Sequence, residues 1–412
     1  MNNYIKLISK VFSGNIIAQI IPILSYIAIA RLYSPSEFGI FSSWLAVIMI
    51  ASVVVTGRYE TALVNEDDGK QRYFAVAAIT CITLISTSFL SIIFLIFSSV
   101  FEIKESFFIN LNSIIFILLS TISIMIVTLI RVWQSWFAAN GSYNYLISVR
   151  ICQSLTIALF QIFAGILFVK NSLTLIFAYF AGVIFTFLVS FYLNPIFFNF
   201  SKNRHTLYSF IKRYRKFPLW SLPADTLNTL TVNIPILIIN SKFGAEAAGY
   251  LSLTLRTLGA PISLIANAIL DVFKRTAAQE FKNYGNCVKI YLHTFYLLSF
   301  VSFLIVIFLF FSIDYIILFA FGSSWKESAE IGFYMLPLFA LRFIASPLSY
   351  MVYISQKVHI DFIWQSFLFI FTFSALQIGD NFYSSIIYYT YSYFFMYLIY
   401  LIISYRLSRG SQ

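Results

Sequence analysis

Apolar runs of about 20 residues recur along the whole chain and are separated by short polar connections. A helix needs roughly 20 apolar residues to cross about 30 Å of hydrocarbon, so each run is long enough for a membrane span. Of the 412 residues, 60% are hydrophobic and 10% are charged, a composition outside the range of soluble globular domains. The sequence therefore predicts an all-α protein with many membrane-spanning helices.

Twelve spans are predicted, and an even number places both termini on one side of the membrane. They cover 11–30, 38–57, 73–98, 107–130, 144–169, 172–194, 218–240, 247–270, 289–312, 329–354, 358–378 and 382–405. Cationic loops resist translocation, and with the N-terminus inside, 19 of the 27 Lys and Arg residues fall on the cytoplasmic side, including Arg58, Arg72 and Arg131. We therefore expect both termini in the cytoplasm. This bias accounts for the net charge of +11 without nucleic acid as a partner.

The most basic stretch of the chain, SKNRHTLYSFIKRYRK at 201–216, lies between spans six and seven. It predicts an N-terminal lobe over 1–200, a cytoplasmic linker over 201–217 and a C-terminal lobe over 218–412. Aromatic residues alternate with the charges in this linker. That pattern suits either an amphipathic segment at the membrane surface or a plain loop that fixes topology.

The two halves repeat each other in sequence. NIIAQIIPIL at 15–24 matches NTLTVNIPIL at 228–237, and each is followed by an external turn with a glycine entering the next span, YSPSEFGIF at 33–41 and FGAEAAGYL at 243–251. Two matches in register, about half the chain apart, indicate an internal repeat. Repeats of the same orientation, related by an axis along the membrane normal, are typical of transporters. We therefore expect two six-helix lobes related by a pseudo-twofold axis.

Span seven combines an apolar composition with polar residues and prolines. Four polar side chains recur at spacings of three and four residues and share one helix face: Ser221, Asp225, Asn228 and Thr229. Pro223 and Pro235 lie inside the span, where they free backbone carbonyls and permit bending. A bendable helix with one polar face suits a moving transporter lobe. The alternative is a static kinked helix whose polar face only binds its neighbours.

The spans contain more cations than anions. Arg150, Arg256 and Arg342 lie within spans five, eight and ten, whereas Asp225 is the one carboxylate clearly inside a span. A charge at the bilayer centre costs about 2.5–3.5 kcal/mol, so it is usually paired or lines a water-filled cavity. Arginine stays charged, and its planar fork matches phosphate oxygens. The excess of cations therefore predicts a cavity for an anionic substrate.

Arg58 ends span two and adds a fourth cation, with Glu60 as a local partner. Two structural interpretations of the arginines stay open. Arg256 can form a fixed salt bridge with Asp225, and Arg150, near a helix end, can extend to the membrane interface.

Several function classes are disfavoured by what the spans and loops contain. The Cys and His residues are scattered, so no catalytic or metal site is predicted. The first six spans hold no mid-membrane Asp or Glu, which disfavours a multidrug or cation antiporter. The external loops are short and their acidic residues do not cluster, which disfavours a membrane-embedded polymerase, ligase or glycosyltransferase.

Five segments resemble the Wzx-type oligosaccharide flippases, which belong to the multidrug/oligosaccharidyl-lipid/polysaccharide (MOP) exporter superfamily. They are ARLYSPSEFGIF (30–41), GRYETALV (57–64), FPLWSLPADTLN (217–228), FGAEAAGYLSLTLR (243–256) and FGSSWKES (321–328). Each segment alone is weakly specific, but their order and spacing together are much more specific, and the resemblance covers nearly the whole chain.

The resemblance implies a MATE-like bundle of twelve helices in the bacterial inner membrane. It implies that the bundle moves an undecaprenyl-diphosphate-linked oligosaccharide, such as an O-antigen unit, from the cytoplasmic to the periplasmic leaflet. Relatives that flip the peptidoglycan precursor are similar in lining their cavity with arginines on helices two and eight, which correspond by position to Arg58 and Arg256. Polymerase and chain-length proteins of glycan export are the expected partners, beside the bilayer and the lipid-linked substrate.

From the resemblance and the charges together, we expect the diphosphate to contact Arg256 and Arg58, helped by Arg150 or Arg342. We expect the sugars to contact polar side chains of spans one and seven, namely Asn15, Gln19, Asn228 and Trp220. No cofactor is expected. Asp225 is the candidate for coupling to a proton or sodium gradient, because a carboxylate that deep can titrate or bind an ion; a fixed partnership with an arginine is the alternative.

Overall fold

The computed structural model describes residues 2–66, 69–100, 113–194 and 204–410. Within these ranges, twelve helices are long and apolar enough to cross a membrane. The prediction of an all-helical protein with twelve spans is therefore confirmed. The boundary predicted at 200/201 and the first linker residues, 201–203, lie outside the described residues.

The chain divides into two compact units, Met1–Asn233 and Ile234–Gln412, so the division falls inside the seventh span. The α-helices of the first unit are α1 (Asn2–Leu32), α2 (Pro35–Val54), α3 (Lys70–Val100), α4 (Ser113–Ala139), α5 (Tyr143–Leu167), α6 (Ser172–Leu193), α7 (Arg204–Arg213) and the first half of α8 (Leu222–Phe243). A short 3-10 helix, Tyr59–Asn65, follows α2.

The second unit contains the rest of α8 and seven further α-helices. They are α9 (Ala245–Tyr284), α10 (Val288–Phe321), α11 (Lys326–Tyr334), α12 (Leu336–Leu348), α13 (Met351–Ile354), α14 (Val358–Ile378) and α15 (Phe382–Ser408).

Span eight is much longer than hydropathy indicates. The apolar run ends near residue 270, but α9 continues to Tyr284 and stops where Gly285 adopts φ 70°. At 1.5 Å per residue, its 40 residues extend about 60 Å, twice the hydrocarbon thickness. The added segment is charged and helical because helix propensity does not depend on hydrophobicity, and a glycine in the left-handed region supplies the stop.

Span ten was predicted as one helix over 329–354, and this is wrong in detail. The structure divides it into α11, α12 and α13. Pro337 lies in the first turn of α12, where its missing N–H costs little, and Pro347 lies near the end of that helix. The two prolines therefore interrupt hydrogen bonding where hydropathy alone shows no break.

Span seven begins with a wide turn. Residues Phe217–Ser221 form a π-helix, and the backbone N–H of Leu222 bonds the carbonyl of Phe217. Pro223, the next residue, has no N–H to donate, so the hydrogen bonds of a regular α-helix cannot begin there. The sequence predicted bending at the internal prolines. The structure also has a π-helical turn, which contains one residue more than an α-helical turn, immediately before the turn that holds Asp225.

The repeated segments occupy corresponding positions in the two halves of the chain. Pro22 lies inside α1 and Pro235 lies inside α8. Each of these helices breaks before a second helix that has an acidic residue in its first turn, Glu37 in α2 and Glu246 in α9. The internal repeat in the sequence therefore corresponds to a repeated helix–break–helix unit.

Helices α5 and α6 pack closely through small residues. A Cβ atom placed on Gly182 would lie 2.8 Å from the Cα atom of Ile157. At the same contact, the Thr156 hydroxyl lies 3.1 Å from the carbonyl of Gly182 and 2.9 Å from the hydroxyl of Thr186. Small residues with interhelical hydrogen bonds are the usual means of joining helices in lipid, where no hydrophobic driving force acts between them.

We expect Gly182→Ala to lower the midpoint of thermal unfolding in detergent, because the added methyl group would push two backbones apart at a cost of about 1–3 kcal/mol. Gly259→Ala is the matched control, since its added Cβ would meet only a Phe339 ring atom at an ordinary 3.6 Å. Equal midpoints for the two variants would contradict the close contact of α5 with α6.

Candidate functional site

Arg58 lies immediately after α2, at a tight turn in the chain. Gly57 and Arg58 both have positive φ angles, 58° and 61°, and the 3-10 helix starts at the next residue. The left-handed region is unfavourable for a residue with a side chain, so the turn must be held by its surroundings. The Thr61 hydroxyl donates to the Arg58 carbonyl at 2.6 Å, which is one such restraint.

The Arg58 guanidinium contacts two carboxylates. Its Nη1 donates to Oε1 of Glu60 at 3.2 Å, and its Nε lies 2.6 Å from Oδ2 of Asp225. The Glu60 side chain is 1% exposed, whereas those of Arg58 and Asp225 are 22% and 35% exposed. Arg58 is therefore a paired cation, and an anionic ligand would have to compete with Asp225 for it.

Asp225 lies in the first turn of α8, just after the π-helix. The Ser221 hydroxyl donates to its Oδ2 at 3.1 Å, so two members of the predicted polar stripe are in contact. The Thr229 hydroxyl donates to the backbone carbonyl of Asp225 at 2.8 Å. The structure thus brings Arg58 and Asp225 together within the first unit.

Arg131 belongs to the same charged cluster, although its sequence position was interpreted as a cytoplasmic loop. It lies within α4, and its guanidinium donates to the carbonyl and the hydroxyl of Ser52, each at 3.1 Å. The carboxylates of Glu60 and Asp225 are near enough for their charges to act on it. The apolar residues after Arg131 were the available signal that the helix continues to Ala139.

The first unit also contains a contact between predicted substrate residues on α1 and α5. Arg150 donates to the side-chain carbonyl of Asn15 at 2.6 Å, and Ser154 donates to the backbone carbonyl of Ala18 at 2.7 Å. Gln19, one residue further along α1, is exposed. Asn15 therefore holds Arg150 through a neutral acceptor, which leaves the charge of the guanidinium uncompensated by this contact.

The remaining two candidates of the first unit are accessible. Trp220 lies in the π-helix, and 76% of its surface is exposed. Asn228 is also exposed, one turn after Asp225 in α8. Both side chains are accessible to a ligand or a lipid.

In the second unit, Arg256 lies in the first half of α9 and is half-buried. Its Nε donates to the hydroxyl of Ser252, one turn earlier, at 3.1 Å. This contact directs the guanidinium back along its own helix.

Arg342 lies in α12, which packs against α15, and it is also half-buried. Three tyrosines of α15, at spacings of four residues, are near enough to influence its guanidinium: Tyr389, Tyr393 and Tyr397. Among the described residues, no carboxylate forms an ion pair with Arg342. The cation thus has phenol neighbours and no paired carboxylate in a helix of span ten.

A second carboxylate within a span escaped the sequence interpretation, which named Asp225 alone. Asp361 lies in the first turn of α14 and is buried. It accepts hydrogen bonds from the Tyr353 hydroxyl at 3.1 Å, from Gln365 Nε2 at 2.9 Å and from the Tyr400 hydroxyl. Asp361 lies next to the predicted cytoplasmic edge of span eleven. An acidic residue is common in the first turn of any helix, so this position did not indicate a carboxylate inside the membrane.

Comparison with known proteins gives a family and a fold. The sequence matches the family described as "Polysaccharide biosynthesis protein" over residues 28–330. No curated protein sequence matches the chain.

Three solved structures have the same fold. The lipid II flippase MurJ, in an inward closed conformation, matches with a TM-score of 0.77 at 13% identity, covering 96% of this chain and 87% of that one. An inward-facing multidrug resistance MATE transporter of the MOP superfamily gives 0.70 at 13% identity, covering 95% and 98%. A MOP superfamily transporter from Pyrococcus furiosus gives 0.62 at 14% identity, covering 98% and 96%.

At these identities the structural likeness establishes the fold, and the family rests on the sequence match. That match includes spans two to nine and the residues Arg58, Asp225 and Arg256. This multi-pass membrane protein belongs to the polysaccharide biosynthesis protein family.

Proposed function

We propose that the protein is a flippase for an undecaprenyl-diphosphate-linked oligosaccharide, such as an O-antigen unit. It would carry this lipid from the cytoplasmic to the periplasmic leaflet of a bacterial inner membrane by alternating access. Support comes from the polysaccharide family and from the fold of MurJ, whose name describes a lipid II flippase.

The observation that carries the proposal is the environment of Arg342. A half-buried guanidinium in a span, with phenol neighbours and no carboxylate ion pair among the described residues, keeps a positive charge that costs about 2.5–3.5 kcal/mol at the bilayer centre. Arg150, which has Asn15 as its hydrogen-bond partner, resembles it in the first unit. Phosphate oxygens arriving with a substrate would stabilise both cations and accept charge-assisted hydrogen bonds from them.

Arg58 would act by exchanging partners. In the ion pair with Asp225 its charge is already compensated, so the diphosphate would have to displace that carboxylate. A proton or sodium ion bound by Asp225 would neutralise the carboxylate and weaken its hold on Arg58. Coupling to an ion gradient would then consist of releasing Arg58 for the substrate.

The alternatives are a multidrug or cation antiporter with the same fold and a membrane-embedded polymerase or ligase. A cation antiporter binds cations, so the uncompensated arginines disfavour it on electrostatic grounds. Glycosyl transfer requires a catalytic acid or base close to the sugar, and the clustered carboxylates described above are held by arginine or tyrosine.

The test is transport of a fluorescent diphosphate-linked oligosaccharide in proteoliposomes, followed by the access of a glycosidase to the outer leaflet. We expect Arg342→Ala to slow flipping about tenfold or more, which corresponds to about 1.4 kcal/mol. Arg342→Lys should recover part of the rate, because it restores the charge without the planar fork.

The control is Arg275→Ala, an exposed arginine in the charged extension of α9, which should flip at the wild-type rate. Wild-type transport by Arg342→Ala would remove that residue from the substrate path. Efflux of a cationic dye without any movement of the lipid would instead establish the antiporter.

A further inference from the structure

The linker between the two predicted lobes is held on the first unit by its apolar side. Phe210 of α7 is buried, and its ring centroid lies 5.9 Å from that of Tyr59 in the 3-10 helix. The Tyr59 hydroxyl lies 3.5 Å from the carbonyl of Ile211, and the Tyr214 hydroxyl lies 3.3 Å from the carbonyl of Asn65. Burial raises the pKa of Tyr59 and Tyr214, so both hydroxyls remain protonated donors at neutral pH.

The sequence left two alternatives open for this linker, an amphipathic segment at the membrane surface and a plain loop that fixes topology, and neither included this docking onto protein. The aromatic side of the linker contacts protein, because the 3-10 helix and α3 provide a partner for it. The basic side is therefore the one that faces away.

Four cations within five residues form that outward side, and we call them the linker basic cluster: Lys212, Arg213, Arg215 and Lys216. All four are exposed. Arg213 pairs with Glu66 at 3.3 Å, an acid whose side chain is 5% exposed. Among the described residues, the other three form no ion pair. The cluster thus carries a concentrated charge that the described part of the chain compensates only at Arg213.

The depth of this cluster relative to the membrane follows from the residues after it. Lys216 directly precedes the π-helix that opens span seven, and Trp220 in that turn is strongly exposed. Tryptophan is enriched at the level of the lipid headgroups, where its ring is apolar and its N–H is solvated. The linker basic cluster therefore lies within one or two turns of the headgroup layer.

We propose that the linker basic cluster binds the headgroups of anionic phospholipids. Positive charges at a membrane surface are attracted by anionic lipids over roughly a Debye length, about 8–10 Å at physiological salt. Here the cations are presented on a rigid segment, so little side-chain ordering is required beyond that of their own long side chains. An acidic protein is a less suitable occupant, because the apolar surface that would anchor it is already used against Tyr59.

Headgroup binding by the linker basic cluster does not depend on the identity of the transported molecule.

The test measures lipid selectivity directly. The protein is reconstituted into phosphatidylcholine, and the association of spin-labelled phosphatidylglycerol is compared with that of spin-labelled phosphatidylcholine by electron paramagnetic resonance. We expect the wild type to prefer phosphatidylglycerol, and Lys212→Gln/Arg215→Gln/Lys216→Gln to lower that preference at least about threefold. Arg213 is retained so that its contact with Glu66 remains.

The matched control is Arg275→Gln/Lys282→Gln/Lys289→Gln, which removes the same charge from three exposed residues of the second unit. It should keep the wild-type preference. Raising the salt concentration should abolish the preference of the wild type, because surface charges are screened.

Equal loss in both triple variants would overturn the proposal, since the preference would then reflect total charge. Absence of any preference in the wild type would also overturn it. If such a wild type still bound a polyglutamate peptide at residues 212–216, the surface would belong to an acidic protein partner. Because no oligosaccharide lipid is used, failure here leaves the proposed transport function to be judged by its own assay.

Discussion

Replacing Arg72 by methionine is expected to lower the thermal unfolding midpoint of the detergent-solubilised protein by roughly 6–20 °C. Arg72 is 4% exposed near the start of α3. Its guanidinium donates to the carbonyls of Leu63 at 3.1 Å, Glu66 at 2.7 Å and Ala139 at 3.3 Å, and to the side-chain carbonyl of Asn140. Without the donor the carbonyls of Leu63 and Glu66 stay buried and unpaired, a loss of about 3–5 kcal/mol, with about 2–4 °C per kcal/mol in a unit of this size.

The matched control for this prediction is Lys70→Met, two residues earlier in the same helix and exposed. It should shift the midpoint by no more than about 2 °C, since exposed charges contribute little. Arg72→Lys should recover only part of the loss, because a single ammonium cannot reach acceptors on two different connections. A midpoint for Arg72→Met that equals that of the control would show that water replaces the guanidinium at no cost.

The second large effect is expected for Glu60→Gln. Glu60 accepts from Arg58, and Glu60 and Asp225 are the carboxylates whose charges act on Arg131. With the glutamine in place, two guanidinium groups would share the single carboxylate of Asp225. Removing one partner from a buried ionic cluster costs about 3–5 kcal/mol, so we expect the midpoint to fall by roughly 6–20 °C.

A second substitution distinguishes charge imbalance from lost packing. Glu60→Gln/Arg131→Gln has equal numbers of positive and negative groups in the cluster again, and it should recover part of the stability lost in Glu60→Gln. Together with Arg131→Gln alone, these variants form a double-mutant cycle, in which a coupling of about 0.5–3 kcal/mol is expected for residues of one network. Additive losses would mean that Glu60 and Arg131 do not interact.

These two predictions concern residues that the sequence did not distinguish. Arg72 and Arg131 counted only as cytoplasmic cations, and Glu60 counted as a local partner of Arg58. In the structure Arg72 and Arg131 form hydrogen bonds that join different helices, and Glu60 is buried beside Arg58. The two contacts between helices cannot be predicted from one sequence, because their partners are 67 and 79 residues apart.

The partners of the arginines proposed for substrate binding could not be predicted from the sequence either. Arg58 was expected to be available to a diphosphate, and the structure pairs it with Asp225 and Glu60. Arg342 was expected to lie in span ten and to help bind the diphosphate, and among the described residues it has phenol neighbours and no carboxylate ion pair. Hydropathy placed Arg58 at the end of a span and Arg342 inside one. It gives no information on which helices pack against each other, and so none on the partners of either arginine.

What the sequence by itself determined is the number of spans, the helical class and the repeat. Each of these depends on composition or spacing within a segment of about 20 residues, which a bilayer converts directly into a helix. Tertiary structure alone decided how Arg58, Asp225 and Glu60 share charge, why α5 and α6 meet at Gly182, and which side of the linker is free. Those features depend on groups brought together across long stretches of chain, where packing geometry and the cost of burying unpaired charge select the partners.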